Sequence, residues 1–242
     1  MSRDRAPQRL RQTIDAIKEL ILEQGLKPGD ALPTEAHLAD LIDVSRANLR
    51  EAIRTLATLD IIEVHHGTGM FVGPMSLRPL VEGLTFKGVV LPGKDFETLR
   101  QVVEVRQALD LAIAPSVVAH LRGTDPAEFA ELDSLCSAMA EHSDRGETFG
   151  VEDRCFHLTI ANMVGNELYG QLVAAFWDVY TLVAPRLGVA TPRDLADTVR
   201  AHREMLNAAV EGDLDSYRAA VEAHYAPLLR VLDATPVPSR VH

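Results

Sequence analysis

In "EDRCFH", Glu152 to His157, Asp153 and His157 stand four residues apart, so on a helix both side chains leave the same face. "VRAHREML" carries His202 and "VEAHYAPL" carries His224, on stretches that read as two later helices. One carboxylate and three imidazoles suit a first-row divalent cation of the zinc, nickel or manganese class, and a helical bundle is a normal scaffold for donors drawn from several helices. Taken singly, each histidine reads first as a surface or satisfied core residue; only the set points to a metal. The other candidate chemistry is electrostatic. "VSRANLREAIRTL", Val44 to Leu56, places Arg46, Arg50 and Arg54 at steps of four among apolar residues. That pattern is either a solvated helix face or a row of cations for an anionic partner.

The elements that must position these groups fall into two sets. Ile14, Ile17, Leu20 and Ile21 recur at helical spacing between Arg9 and Gln24, and Gly25 ends the pattern. "KPGD", Lys27 to Asp30, predicts a turn, and Thr34 predicts the N-cap of a short helix through Ile42 with Glu35 in its first turn. Ser45 predicts the cap of a third helix, whose inner face is Leu49, Ala52, Ile53 and Leu56. At 100° per residue that face centres about 110° from the arginines. "IIEVHHGTGMFVGP" changes the rhythm: Ile62 and Val64, then Met70, Phe71 and Val72, flank Gly67 and Gly69 as a β-hairpin. Three helices and a hairpin are the order of a winged helix-turn-helix, and "GPMSLRP", Gly73 to Pro79, reads as a linker. Helical patterns continue weakly near 77–86 and then at about 95–121, 126–143, 148–164, 166–184, 193–211 and 214–233. The expected fold is mainly α: a winged helix-turn-helix over 1–75, a linker and first short helix over 76–94, an all-α bundle over 95–233 and a loose tail over 234–242.

The 242 residues carry a formal charge of −11, which looks unsuited to nucleic acid. Residues 1–75, however, hold 9 Lys/Arg against 11 Asp/Glu, and the remainder 15 against 24, so the acidity sits mostly in the helical part. Screening over about 8–10 Å lets a local row of arginines meet phosphate regardless of distant charge. "MSRDRAPQRLRQT" has no apolar h-region and no later run approaches the roughly 18 apolar residues of a membrane span, so a cytoplasmic protein is expected. Cys136 and Cys155 fit no CxxC or ligand spacing and read as buried thiols.

The stretch "PGDALPTEAHLADLIDVSRANLREAIRTLATLDIIEVHHGTGMFV" resembles the DNA-binding domain of GntR-family transcriptional regulators, through "LPTE", "VSR", "LREAIRTL" and "IIEVHHGTGMFV" in order. The resemblance implies DNA contact by Ser45, Arg46, Asn48 and Arg50 at the start of the third helix and by His66 and Gly67 in the wing. Ala36 stands where relatives often have arginine and Ala47 where a hydroxyl or glycine is frequent, so the operator sequence does not transfer. The order "DRCFH", then His202, then His224 is similar to the FCD ligand-sensing domain of the FadR-like subgroup, which implies Asp153, His157, His202 and His224 as metal ligands. "EVRQALDLAIAPSVV" and "ANMVGNELYGQL" extend this likeness over roughly 95–230. Asp110 where glutamate is commoner, and Ala201 before His202 where glutamate is frequent, depart from it.

The resemblance and the donor pattern together predict a ligand-responsive regulator: a homodimeric repressor that leaves an inverted-repeat operator in double-stranded DNA when a small organic acid binds the metal. Arg106 is the candidate partner for the acid's carboxylate and Asn166 a candidate polar contact; the alternatives are a surface ion pair and a helix cap. A repressor that senses metal alone stays open. A metal-dependent enzyme is disfavoured, because no general base is placed as the glutamate of HExxH is.

Overall fold

A computed structural model describes residues 5–90, 95–183 and 191–234. The chain divides into two compact units, Met1–Pro79 and Leu80–His242. The first is built from α1 (Arg5–Glu23), α2 (Glu35–Leu41), α3 (Arg46–Thr58), β1 (Ile62–His65) and β2 (Gly69–Val72). Thr34 caps α2 by accepting from His37 N at 3.4 Å, and Ser45 caps α3 by accepting from Asn48 N at 3.3 Å, each satisfying an orphan amide at a helix start. Ile17, Leu38, Leu49, Leu56, Ile62 and Val72 meet in one core, which is why the apolar stripes of α1 and α3 face each other. The strands pair antiparallel from Ile62↔Val72 to His65↔Gly69, and Ala31 adds a single bridge to Phe71. Gly67, at φ 80°, turns the hairpin in the left-handed region that a side chain disfavours.

Where α3 gives way to β1, Asp60 sits at φ 55° with its carboxylate buried. It accepts hydrogen bonds from the Ser76 hydroxyl and from Arg78, whose Nε lies 3.1 Å away. Those bonds, Arg78's first and Ser76's next, hold the carboxyl below its usual pKa despite burial. Gly73 passes so close that a Cβ there would stand 2.3 Å from the Asp60 carbonyl oxygen, so only glycine fits. A carboxyl with a depressed native pKa contributes stability that is complete above its unfolded value and fades as pH falls through the native one. Asp60→Asn is therefore expected to lower the stability of the first unit by about 1–2 kcal/mol at neutral pH. The difference from the parent should shrink as the solution is acidified below the ordinary carboxyl range, as read by denaturant melts at several pH values.

Helix α4 (Arg78–Val90) begins at the junction, where a shorter and weaker helix was expected. The second unit then holds α5 (Asp95–Leu121), a single 3-10 turn at Pro126–Glu128, α6 (Ala130–Asp144), α7 (Gly150–Val164), α8 (Glu167–Val183), α9 (Pro192–Glu211) and α10 (Leu214–Ala234). Of the expected tail, 235–242 lie outside the described residues. Helix α10 packs against α5 and α9, α5 also meets α7 and α8, and α6 lies against α7 and α9. Gly165 and Gly212, both at positive φ, end α7 and α9, while a Thr191–Asp194 capping box starts α9. Leu132, Met139, Phe156, Met205 and Tyr217 fill the interior. Cys136 is buried, and burial pushes its thiol up to about 11; Cys155, expected to be buried too, is half-exposed, and both are free. No described helix is long and apolar enough to cross a membrane.

Candidate functional site

The three arginines of α3 are all exposed but are not equivalent. Arg50 Nε lies 2.9 Å from Glu35 Oε2 on α2, and Arg54 pairs with Glu51 at 3.5 Å. Arg46, on the first turn, has no ion-pair partner among the described residues, so it is the cation most available to an anion. Ser45 and Asn48 line a groove of about 510 Å³ together with Arg9, Gln12 and Thr13 of α1. Arg9 had no signal of its own in the sequence: it reads as the start of a helix, and only the packing of α1 on α3 brings it beside the α3 N-terminus. His66 and Gly67 lie exposed at the wing tip. Because Glu35 competes for Arg50, Glu35→Ala is expected to tighten DNA binding about two- to fivefold at low salt, an effect that fades at high salt. Fluorescence anisotropy against a duplex at two ionic strengths checks it.

In the second unit, helical geometry delivers Asp153 and His157 from adjacent turns of α7, and α9 and α10 bring His202 and His224 to the same point. One donor atom from each of the four lies within 4.8 Å of every other. His202 Nε2 and His157 Nε2 stand 3.3 and 3.4 Å from Asp153 Oδ1, and His157 Nε2 lies 3.2 Å from His224 Nε2. Two donors about 2.1 Å from a common cation stand about 3.0 Å apart at right angles and about 3.4 Å apart at the tetrahedral angle, so these spacings fit one ion. His202 Nδ1 is 2.9 Å from the Thr198 carbonyl and must donate to it, which leaves Nε2 with its lone pair inward. Burial first, then the Arg106 charge and the neighbouring His202 ring, pushes the His157 pKa well down; burial, then His202, does the same to His224. Burial works to raise the Asp153 pKa, but His202, His224 and Arg106 outweigh it and hold the carboxyl below its usual value. The donors are thus two imidazoles that resist protonation and an ionised carboxylate, the forms that bind a divalent cation.

Arg106 is not a surface residue. It is 5% exposed, its Nε donates to Asp110 Oδ1 at 2.9 Å, and its Nη1 reaches the Val173 carbonyl at 3.5 Å. Asp110 also accepts from Tyr169 Oη at 2.7 Å and Tyr225 Oη at 2.6 Å, and faces His157 Nδ1 at 3.8 Å. Burial alone would depress the Arg106 pKa, yet attraction to Asp110 reverses this and raises it. The Nη2 of Arg106 and the Nδ1 of His224 are buried without a hydrogen-bond partner. The expectation for Asn166 needs correction. Its side chain is exposed and accepts from Tyr169 N at 3.1 Å, capping α8, and it does not line the cavity beside the four donors. An amide already holding a helix start has no reach into the interior.

That cavity, about 120 Å³, is lined by Arg106, Asp153, His157 and His224, by a mainly apolar wall that includes Leu99, Val102, Val103 and Phe176, and by Trp177 and Tyr180. The polar hub of Asp110, Tyr169 and Tyr225 was not recognised from the sequence, since its members lie on three helices and none carries a local motif.

Comparison with known proteins agrees with both halves. Residues 9–72 match the family described as bacterial regulatory proteins, gntR family, and residues 101–227 match the FCD domain. The HTH-type transcriptional regulator LutR of Bacillus subtilis is 30% identical over 148 residues, spanning 61% of this chain and 64% of its own length. The galactonate operon transcriptional repressor of Escherichia coli is 25% identical over 193 residues, 80% of this chain and 83% of that one. A solved structure of Streptococcus agalactiae GntR superposes with a TM-score of 0.66 at 27% identity, covering 91% of this chain and 99% of the other. A winged reader followed by an all-helical FCD domain places this chain in the GntR family of transcriptional regulators, which are not enzymes.

Proposed function

We propose that the protein acts in the cytoplasm as a homodimeric repressor, released from an inverted-repeat operator when a small organic acid binds a metal held by Asp153, His157, His202 and His224. The observation that carries this reading is the convergence of those four buried donors beside a guanidinium whose Nη2 has no partner. A metal of the zinc, nickel or manganese class would supply Lewis acidity and open coordination positions there. Arg106 then orients the carboxylate, Asp110 with its two tyrosines fixes Arg106, and Thr198 fixes His202. A repressor that senses metal alone is the weaker reading, because metal by itself leaves the Arg106 Nη2 buried and unpaired.

On the DNA side, Ser45, Arg46, Asn48 and Arg50 enter the major groove while His66 and Gly67 meet the backbone or minor groove, and two-fold symmetry matches two half-sites. The E. coli relative named as a repressor supports the direction of control. For the acid to regulate, it must prefer one arrangement of the dimer, and operator DNA must weaken acid binding by the same factor. Thermal shift with and without chelator, across a panel of carboxylates, followed by operator gel shifts with any acid that stabilises, tests the scheme. Stabilisation that needs metal, together with weakened operator binding, is expected; equal operator affinity with and without the stabilising acid would defeat the regulatory step.

A further inference from the structure

Resting on the acid-and-metal reading above, we infer that the ligand is a monocarboxylate with a mainly hydrocarbon body beyond the carboxylate and the carbon beside it. Two independent features of the cavity lead there.

The first is charge. Arg106 is the only Lys or Arg among the described lining residues, and its charge is already matched by Asp110. Asp153 adds one negative charge, and the imidazoles bind a metal in their neutral form. A divalent ion therefore leaves the site with a single unmatched positive charge. One carboxylate balances it. A second or third would be buried with no cation to pair, an arrangement that desolvation strongly disfavours.

The second feature is hydrogen-bonding capacity. Away from the four donors most of the wall is Leu99, Val102, Val103, Phe176 and Leu228, which offer a hydroxyl nothing, while Trp177 contributes one indole N–H and Tyr180 one phenol hydroxyl. The other two lining hydroxyls already donate within the protein. Tyr225 Oη donates to Asp110 and Thr198 Oγ1 donates to the Asp194 carbonyl at 2.9 Å. Among the lining side-chain nitrogens outside the metal cluster, the Arg106 Nη2 is the one fully buried without a partner. A sugar-acid chain carries more hydroxyls than Trp177 and Tyr180 can serve, and each one left over would lose its water without a replacement, about a tenfold or greater loss of affinity apiece. Size agrees as well. An apolar cavity of about 150 Å³ accepts a benzene ring, so one of about 120 Å³ takes a body of about five carbons, branched or straight.

The test is titration calorimetry on the full-length protein loaded with zinc, nickel or manganese, with isovalerate, 2-hydroxyisovalerate and hexanoate set against galactonate, gluconate and citrate. Binding of at least one hydrocarbon-bodied acid at least tenfold tighter than every polyhydroxy or tricarboxylic acid is expected. Val102→Thr, which keeps shape and adds a hydroxyl, should weaken the preferred acid about tenfold while its circular dichroism melt stays two-state. Arg106→Gln should weaken every carboxylate alike and leave the tail preference intact. Galactonate, gluconate or citrate binding as tightly as the hydrocarbon acids would overturn the inference yet leave the acid-and-metal reading standing. No acid binding the metal-loaded protein would remove both.

Discussion

His202→Ala is expected to lower divalent-metal affinity by roughly a hundredfold or more, since changing even the residues that merely support a metal ligand costs ten- to a hundredfold. His202 is fully buried, its Nδ1 is committed to Thr198, and its Nε2 faces Asp153 and the other donors. Removing the ring deletes one of the four proposed ligands and opens a space beside Phe156, whose ring centroid lies 4.8 Å from that of His202. The variant should purify with substoichiometric metal by elemental analysis, and the acid-dependent rise in melting temperature should disappear. The winged unit has its own core, so binding to a duplex should survive, either insensitive to acid or held in one state. If His202→Ala retains full metal content and acid response, the four donors are a polar cluster and not a metal centre. His202→Gln, which fills the space without restoring an imidazole, guards against a collapse of packing being mistaken for loss of a ligand.

Arg46→Ala is the second large effect. A bidentate arginine contact to a base edge is worth about 1–3 kcal/mol, and the proposed dimer would make it twice, so operator affinity should fall by roughly thirtyfold to about twenty-thousandfold. Arg46 is singled out over Arg50 because it is exposed on the first turn of α3 with no acidic partner among the described residues, whereas Arg50 must first leave Glu35. Arg50→Ala is thus expected to cost less than Arg46→Ala. Gel shifts read the affinities, and thermal response to metal and acid should be unchanged in both variants. Loss of DNA binding together with loss of the metal response would mark misfolding and not a lost contact.

These two variants probe opposite ends of what the residues alone could tell. Helix boundaries, the capped start of α3 and the glycine-turned wing were legible because each depends on neighbours within a turn or a hairpin: apolar spacing, a capping hydroxyl, a residue able to adopt positive φ. The pattern for α5 over 95–121 coincides with the observed helix, and the Asp153–His157 spacing sets both on one face of α7 by periodicity alone. The resemblance then supplied what periodicity cannot, the joining of those two residues with His202 and His224.

What only the tertiary structure decided are matters of distance between remote parts of the chain. Whether Arg106 lay on the surface or inside depended on the meeting of Asp110, Tyr169 and Tyr225, residues 59 and 115 positions from Asp110 in the last two cases. Likewise, Arg50's pairing with Glu35, the place of Arg9 in the groove, and Asn166's use as a cap in place of a ligand contact are outcomes of packing. A helical pattern reports which face of an element is apolar; it carries no information on which other element will cover that face. The charge balance and the apolar walls of the cavity are set by five helices at once, and so emerge only when they are packed together.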